Sequence, residues 1–213
     1  MRFMKLINLF FIIIILQCFC SRDVNEAAQL YSEGLKHYSI NDLKEAEKFF
    51  TSVVKLDKDH LNALLMLTKI SYYNKDYLIG AGYADSLLKK SPMHSSALYW
   101  KARCLIMANP DSIEEPVNLL QKALESNSDN LKARQLLALI YEREGKYKEA
   151  LHHYFEALKD EETLLNLRVN LALMYNRLGL KDKGIEEINK AIKISMGAGI
   201  PDSKIKAIKE EIK

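Results

Sequence analysis

The sequence predicts an all-α protein built from stacked pairs of antiparallel helices. Its 213 residues include only 8 Gly and 4 Pro, so they cannot supply the many tight turns of an all-β fold. Beyond residue 26 the sequence repeats with a period of 34 residues, the length of one helix–turn–helix unit. The hydrophobic content of 48% is enough for a sizeable core, and composition alone allows one or two domains.

The first twenty residues differ from the rest of the chain. Arg2 and Lys5 make the start basic, and a mostly apolar run follows from Leu6 to Phe19. A basic start, a short apolar run and then polar sequence are typical of a secretory signal. A membrane-spanning helix needs about 20 apolar residues, more than this run provides. We therefore predict a signal peptide over residues 1–20, with an uncleaved signal anchor as the alternative.

The end of this segment contains two cysteines. The run Ile15-Leu16-Gln17-Cys18 resembles the lipobox of bacterial lipoproteins, which implies that Cys18 is lipidated and becomes the mature N-terminus. Cys20 is the alternative lipidation site. Ordinary cleavage after Cys20, with the two cysteines as the small residues of the cleavage motif, is a third interpretation.

The charge of the remaining chain is nearly balanced. Removing Arg2 and Lys5 from the 31 basic residues leaves 29, against 28 acidic residues. Nucleic-acid binding requires a basic stripe, so we predict no nucleic-acid partner. If the two early cysteines are removed or lipidated, Cys104 alone remains and cannot form an internal disulfide. It falls at a packing position of a predicted helix, where we expect a buried, inert thiol.

The 34-residue period is clearest in the second half of the chain, where identical residues recur in register. These pairs are Leu137 and Leu171, Tyr141 and Tyr175, Gly145 and Gly179, and Ala157 and Ala191. The same frame extends backwards and defines five repeats, at 27–60, 61–94, 95–130, 131–164 and 165–198. The third repeat is two residues longer, and we place the extra length in the turn at 109–112, because a helix–helix loop tolerates insertions.

The repeated residues carry a family resemblance. Leu137-Ala138-x-x-Tyr141, followed by Ala150-x-x-x-Tyr154, resembles the tetratricopeptide repeat (TPR). The resemblance implies a solenoid of antiparallel helix pairs wound into a right-handed superhelix, whose concave groove is lined by the first helix of each repeat and binds proteins. Small residues would let the two helices of a repeat approach closely. They are Gly34, Ala102, Ala138 and Ala172 on first helices and Ala46, Gly80, Ala150 and Gly184 on second helices.

Two helix ends have their own signals. We predict that Ser112 caps the second helix of repeat three as part of a capping box with Glu115, which places Pro116 in the first turn. At the C-terminus, Ile205, Ile208 and Ile212 form an apolar stripe in 202–213. This pattern predicts a helix that caps the fifth repeat, or alternatively one that binds a partner or dimerises.

The resemblance also implies which side chains line the groove, at fixed positions of each first helix. In the first three repeats they are Tyr31, Leu35, Tyr38, Leu65, Lys69, Tyr72, Tyr73, Tyr99, Arg103, Ile106 and Met107. In the last two they are Lys132, Gln135, Leu139, Glu142, Arg143, Asn166, Val169, Leu173, Asn176 and Arg177. Because aromatic and Arg side chains lead the residues that anchor interfaces, we predict that the N-terminal half holds an extended or helical peptide. The alternative for any one tyrosine is packing against the neighbouring repeat.

Catalytic motifs are not found in this sequence. It contains no Gly-rich phosphate loop, nucleophile elbow or metal motif. His152 and His153 are adjacent on a helix, where side chains point about 100° apart, so we expect a solvated surface pair and no metal site. We predict a non-catalytic protein-binding scaffold of the bacterial cell envelope, tethered by an N-terminal lipid to a membrane and facing the periplasm. It would have no cofactor and no small-molecule substrate, and its partner would be membrane-associated. A soluble periplasmic holdase or assembly factor, and a signal-anchored TPR regulator, are the alternatives.

Overall fold

The structure, a computed structural model, describes residues 25–160, 165–197 and 203–212. The predicted signal peptide and both candidate lipidation sites, Cys18 and Cys20, lie outside these residues. The described part is helical and contains no strand, which confirms the all-α prediction. Within it, no helix combines the length and apolar character needed to cross a membrane.

The chain divides into two compact units, residues 1–111 and 112–213. In the first unit the helices are α1 (residues 25–39), α2 (Leu43–Leu56), α3 (Leu61–Tyr73), α4 (Tyr77–Lys90) and α5 (Ser95–Ala108). In the second they are α6 (Glu114–Ser126), α7 (Leu131–Arg143), α8 (Tyr147–Asp160), α9 (Leu165–Arg177), α10 (Lys181–Gly197) and α11 (Ser203–Ile212). The helices α3, α5, α7 and α9 begin at the first residues of the predicted repeats two to five.

The eight small residues predicted at the helix contacts are all buried. Gly80 shows why size matters there. A Cβ atom on Gly80 would lie 2.9 Å from Cys104 Sγ on α5 and 3.2 Å from both Ser71 Cβ and Thr68 O on α3. The first distance is shorter than real Cβ atoms show, and the other two are tighter than most Cβ contacts, so an added methyl group would require its neighbours on α3 and α5 to shift.

The turn between the two helices of a repeat uses the same backbone conformation in four of the five repeats. Asn41, Lys75, Gly145 and Gly179 have φ between 62° and 73°, and each lies 34 residues from its neighbour in the same unit. This left-handed conformation ends the first helix, because the next N–H groups can turn back to its last carbonyls. Asp76 N donates to Ser71 O at 2.8 Å in one such turn, and Lys146 N donates to Tyr141 O at 2.8 Å in another.

The first helices begin with a repeated side-chain cap that the sequence analysis did not identify. His60, His94 and Asn130 occupy the last position of the first three repeats and are the N-caps of α3, α5 and α7. The histidine Nδ1 atoms accept hydrogen bonds from the backbone N–H groups of Ala63 and Ala97 at 3.1 and 3.2 Å. Asn130 does the same through Oδ1, at 3.1 Å from Ala133 N. Each cap satisfies one of the unpaired N–H groups of a helix start.

The capping box predicted at Ser112 and Glu115 is wrong. Helix α6 begins at Glu114, its N-cap is Ile113, and no side-chain cap hydrogen bond forms. Ser112 therefore lies outside the helix. Glu114 and Glu115 place negative charge in the first turn, where the positive end of the helix dipole stabilises it. Pro116 is the third residue of α6, within the first turn as predicted, where its missing N–H costs nothing.

The C-terminal helix α11 covers the fifth repeat. Ile205 and Ile212 are buried against Ala172 of α9 and against Ile188 and Ala191 of α10, and Ile208 packs at the edge of the same cluster. This arrangement confirms the predicted capping helix, because its apolar stripe faces the last pair of repeat helices. Its polar residues face outwards, as the end of a solenoid requires.

Candidate functional site

The predicted groove residues of the first unit lie on the first helices α1, α3 and α5, a surface that we call the first-helix face. They differ in accessibility. Leu35, Tyr73 and Met107 are 40%, 49% and 46% exposed, whereas Tyr99 is only 8% exposed. The half-buried members are Tyr31, Tyr38, Leu65, Lys69, Tyr72, Arg103 and Ile106. The face therefore combines accessible apolar side chains with half-buried tyrosines.

Four rings on α3 and α5 form a continuous aromatic cluster, made of Tyr72, Tyr73, Tyr99 and Trp100. The Trp100 ring lies 5.5 Å from Tyr72, 5.9 Å from Tyr73 and 5.5 Å from Tyr99, between ring centroids, each in an edge-to-face arrangement. Tyr72 and Tyr73 also meet edge to face at 5.7 Å. These separations are typical of favourable aromatic pairs. The cluster thus joins the first helices of two consecutive repeats.

Arg103 lies over this aromatic cluster. Its guanidinium carbon is 4.1 Å from the Tyr72 ring centroid, 4.7 Å from that of Trp100 and 5.7 Å from that of Tyr99. An Arg103 NH2 group donates to the Tyr72 hydroxyl at 2.7 Å. The cation–π contacts and the hydrogen bond fix the position of the charge, which is otherwise carried on a flexible side chain. Burial raises the pKa of Tyr99, and Arg103 partly opposes this shift.

The tyrosines of α1 join the same face. Burial raises the pKa of Tyr38, and the neighbouring Tyr73 adds to the shift. Tyr31 packs against Phe50 of α2 and the capping residue His60, at centroid distances of 5.4 and 5.0 Å. The structure therefore gives Tyr31 and Tyr99 a packing role between helices, and their contact with a ligand stays a prediction.

Two aromatic members of this region were missed from the sequence. Trp100 follows Tyr99 at the sixth position of its repeat, which was not assigned to the groove, yet it is the ring that touches three tyrosines. Tyr77 starts α4 and lies 5.7 Å from Tyr72. The density of aromatic residues over 72–77 and 99–100 was the available signal, because side chains this large reach beyond their own helix.

Beside the cluster, an apolar depression of about 390 Å³ opens at the turn between α3 and α4. Tyr77, Leu78, Ile79 and Met107 line it, together with Lys75, Asp76 and Ala108. Leu78 and Ile79 are exposed. Met107 therefore belongs both to the first-helix face and to the lining of this depression.

In the second unit the corresponding positions make contacts within the protein. Glu142 on α7 accepts a hydrogen bond from the Tyr154 hydroxyl of α8 at 2.9 Å and forms an ion pair with Arg177 of α9. Burial raises the pKa of Tyr154, and the bond to Glu142 adds to the shift. Arg143 lies 3.9 Å from Glu144, Leu139 is exposed and Asn176 is half-buried. Glu142 and Arg177 thus link the fourth and fifth repeats, and the contact of the predicted residues of this half with a ligand stays a prediction.

The histidine pair is less solvated than predicted. His152 is exposed, but His153 is half-buried and stacks on Tyr141 with 5.5 Å between ring centroids. Burial lowers the pKa of His153 to about 4, and the neighbouring His152 and Arg134 contribute. The His153 ring is therefore neutral at physiological pH and packs between α7 and α8. Among the described residues no three His, Cys, Asp or Glu side chains are arranged to hold a metal ion.

The sequence is similar to known families and proteins over part of its length. A family model described as tetratricopeptide repeat matches residues 117–163, and a second model of the same description matches residues 165–195. A curated relative, the N-terminal acetyltransferase A complex auxiliary subunit NAA15 of Arabidopsis thaliana, is 29% identical over 111 residues. This match covers 52% of the chain but spans only 12% of the relative.

Solved structures extend the similarity over most of the chain. The crystal structure of MamA superimposes with a TM-score of 0.69 at 19% identity, covering 78% of this chain and 96% of MamA. YrrB, described as a TPR protein with an unusual peptide-binding site, superimposes with a TM-score of 0.64 at 19% identity. That match covers 89% of this chain and 94% of YrrB. These superpositions establish a shared fold, and at 19% identity they establish nothing beyond it.

Proposed function

The chain is a tetratricopeptide repeat protein, and from this premise we propose that the first-helix face of its first unit binds a segment of a partner protein. The TPR fold supports a protein-interaction scaffold, in which stacked helix pairs present an extended surface. YrrB, which shares the fold, is described as having a peptide-binding site. The finer assignment to one surface of this chain rests on the composition and order of its side chains.

The observation that carries the proposal is the arrangement around Arg103. A half-buried cation is held over three rings, and the accessible side chains of Leu35, Tyr73 and Met107 lie on the same face. Tyr, Trp and Arg are the residues most enriched among the strong contributors to binding energy. A rigid aromatic platform loses little conformational entropy when a partner docks, so its contact area converts efficiently into affinity.

Site-specific photo-crosslinking in the native host tests this assignment. A photoreactive phenylalanine analogue replaces Tyr73 in one variant and Phe155 in a matched control, since Phe155 is also aromatic, lies on a second helix and is 45% exposed. We expect a discrete crosslinked protein from position 73 and none from position 155. Equal crosslinking from both positions, or crosslinks from position 155 alone, would contradict binding at the first-helix face.

We further propose that the scaffold acts in the bacterial cell envelope, tethered by a lipid at Cys18 or, in the alternative, at Cys20. The basic start, the short apolar run and the lipobox-like sequence before Cys18 support this. A bacterial lipoprotein carries three acyl chains, and two or more anchor a protein firmly. Because the first repeat begins at residue 27, soon after Cys18 and Cys20, it would lie close to the membrane, and its partner would be membrane-associated as well.

The intact mass of the protein isolated from host membranes separates the alternatives. A mass that begins at Cys18 or Cys20 and includes about three acyl groups supports the tethered scaffold. A mass that begins at Ser21 without lipid favours a periplasmic holdase or assembly factor. A full-length unmodified mass favours the signal-anchored regulator and contradicts the lipid tether.

We assign no reaction to this scaffold. The aromatic cluster offers contact area, and the titratable side chains at the predicted groove positions of the first unit are tyrosines, Lys69 and Arg103. None of these is a nucleophile paired with a base. A screen of the purified chain for hydrolase and transferase activity is expected to give no turnover above that of the Tyr73→Ala variant.

A further inference from the structure

We propose that two copies of this chain associate through a surface at the turn between α3 and α4, which we call the turn surface. It consists of the residues that line the apolar depression, together with a glycine one helical turn further along α4. They are Lys75, Asp76, Tyr77, Leu78, Ile79, Met107, Ala108 and Gly82. The association goes beyond the proposed function and does not depend on it, because it uses the start of a second helix.

The turn surface exposes large aliphatic side chains that normally lie inside a protein. Leu78 and Ile79 of α4 are 72% and 57% exposed, and Met107 of α5 is 46% exposed. All three line the same depression of about 390 Å³. Single exposed apolar residues are common on protein surfaces, whereas a contiguous apolar patch marks a site of interaction. The turn surface is therefore expected to be covered by another molecule.

Gly82 adds an independent observation on the same helix. A Cβ atom there would meet nothing within 4 Å, in contrast to the enclosed Gly80. Glycine inside a helix lowers stability relative to alanine, and the packing of the chain itself gives no reason for it at this position. Gly82 lies four residues after Leu78 and three after Ile79, on the same side of α4. The missing side chain allows the backbone of a second molecule to approach α4 closely beside the exposed aliphatic residues.

The charges of the turn surface are complementary to themselves. Lys75 and Asp76 are exposed, and among the described residues neither side chain forms an ion pair or a hydrogen bond. Asp42, at the equivalent position of the first repeat, instead accepts from Glu45 N. A two-fold axis brings the same patch of two copies together in opposite directions. Lys75 of each copy can then meet Asp76 of the other.

This pattern favours a second copy of the chain over other occupants. The charges of Lys75 and Asp76 cancel, so the turn surface does not attract the anionic headgroups of a membrane. Burying the carboxylate against lipid would also leave it without a partner, which is costly. In a two-fold dimer both charges find partners, and each copy supplies the exposed side chains of Leu78 and Ile79 as well as the depression that receives them.

Sedimentation equilibrium of the full chain in a density-matched non-ionic detergent measures the association. We expect a monomer–dimer equilibrium with a Kd of about 10–100 µM, typical of a small interface. Leu78→Glu is expected to raise the Kd at least about tenfold, because the two-fold axis brings two carboxylates into the apolar contact. Leu56→Glu is the matched control, since Leu56 is 42% exposed at the last residue of α2 and lies outside the turn surface. It is expected to leave the Kd unchanged.

Reversal of each charge tests the two-fold arrangement directly. Lys75→Asp and Asp76→Lys each place like charges opposite one another twice, so each is expected to raise the Kd about tenfold. An equimolar mixture of the two variants restores opposite charges at both contacts and is expected to associate as tightly as the parent chain. Lys75 has a φ of 69°, a conformation that Asp tolerates. Urea unfolding of each variant at about 2 µM, where the chain is expected to be monomeric, shows whether the fold is retained.

A photoreactive phenylalanine analogue at position 78 identifies the occupant in the host, and the expected product is a crosslink between two copies of the chain. A crosslink to lipid or to a different protein instead would overturn the dimer. So would a chain that stays monomeric up to about 200 µM, or a dimer that Leu78→Glu and Leu56→Glu weaken equally. A mixture of the charge variants that associates no better than either alone overturns the two-fold arrangement. None of these results changes the crosslink expected from position 73, which tests the proposed function separately.

Discussion

Two glycines of α4 provide a sharp test of how the repeats pack. Gly80 and Gly82 are both interior residues of the helix Tyr77–Lys90. A Cβ on Gly82 would meet nothing within 4 Å, whereas a Cβ on Gly80 would lie 2.9 Å from Cys104 Sγ and 3.2 Å from the carbonyl oxygen of Thr68. The substitutions Gly80→Ala and Gly82→Ala are thus chemically identical and differ only in the space around the added methyl group.

The expected free energies follow from two opposing effects. Replacing Gly by Ala inside a helix stabilises the folded protein by about 0.5–1 kcal/mol, because Gly loses more backbone entropy on folding. Gly82→Ala is expected to show this gain. At Gly80 the same gain is opposed by overpacking, which costs about 1–3 kcal/mol when neighbours cannot move aside. Since one neighbour is the backbone of α3, we expect Gly80→Ala to destabilise the protein relative to Gly82→Ala by about 1–3 kcal/mol.

Urea unfolding followed by circular dichroism at 222 nm measures both variants against the parent chain. A double-mutant cycle with Cys104→Ala separates the clash with sulfur from the clash with backbone, because that change removes Sγ. We expect Cys104→Ala to cost less in the Gly80→Ala background than in the parent. Equal stabilisation by Gly80→Ala and Gly82→Ala would refute the close approach of α3, α4 and α5 at Gly80.

Three further predictions address caps, reactivity and a buried charge. His94→Ala is expected to lower the free energy of unfolding by about 1 kcal/mol through loss of the bond to Ala97 N, whereas His94→Asn, which reproduces the cap at Asn130, is expected to preserve it in the same urea assay. Burial raises the pKa of the Cys104 thiol to about 11, so less thiolate is present at pH 8 in the folded protein. Alkylation of Cys104, followed by peptide mapping, is expected to be at least about 100-fold slower in the folded than in the urea-unfolded protein. Similar rates would contradict a buried thiol. Glu187 accepts from Arg168 at 2.7 Å and from Lys190 at 2.7 Å. Glu187→Gln is expected to cost about 1–3 kcal/mol because it removes the negative charge from a largely buried ion pair; an unchanged unfolding midpoint would contradict this.

The fold could be predicted from the sequence because a single 34-residue repeat determines how the helices pack. A 34-residue repeat of small and large apolar residues fixes which side of each helix faces its neighbour, and all eight predicted small positions are buried. The same frame gives the position of the αL turns. Gly145 and Gly179 identify it directly, and Asn41 and Lys75 adopt it without glycine because they occupy the same frame position.

Helix starts were less predictable, since their signals are single side chains. Ser112 with Glu115 matched the capping-box pattern, yet α6 begins after Ile113 and no such bond forms. His60 and His94 matched no familiar cap, because histidine is not among the preferred cap residues. Their common position, followed by Asn130 at the same point of the next repeat, was the available signal. A periodic comparison of the polar positions would have identified all three.

The candidate site was predictable in its location but not in its contacts. The frame indicates which residues of a first helix point away from the second helix; of these, Leu35, Tyr73 and Met107 are exposed, whereas Tyr99 is buried. It contains no information on how far a large side chain reaches towards the next repeat. Trp100 and Arg103 both extend from α5 to rings of α3, and Glu142 of α7 pairs with Arg177 of α9. Contacts of this kind depend on side-chain length and direction at two sites that the period treats separately.

Tyr99 and Tyr73 of the aromatic cluster differ in exposure, so their substitution separates an effect on stability from an effect on binding. Tyr99 is buried and touches Trp100, so Tyr99→Ala is expected to cost about 3 kcal/mol of stability, the usual loss for a buried aromatic side chain. Tyr73 is half exposed, and Tyr73→Ala is expected to cost about 1 kcal/mol or less. If the first-helix face binds a partner through its accessible side chains, Tyr73→Ala weakens binding by more than about 1 kcal/mol while the protein stays folded. Urea unfolding and the affinity for the partner identified by crosslinking, measured on the same preparations, give both quantities. A Tyr73→Ala variant that binds this partner as tightly as the parent chain would show that the rings on α3 and α5 serve only to join consecutive repeats.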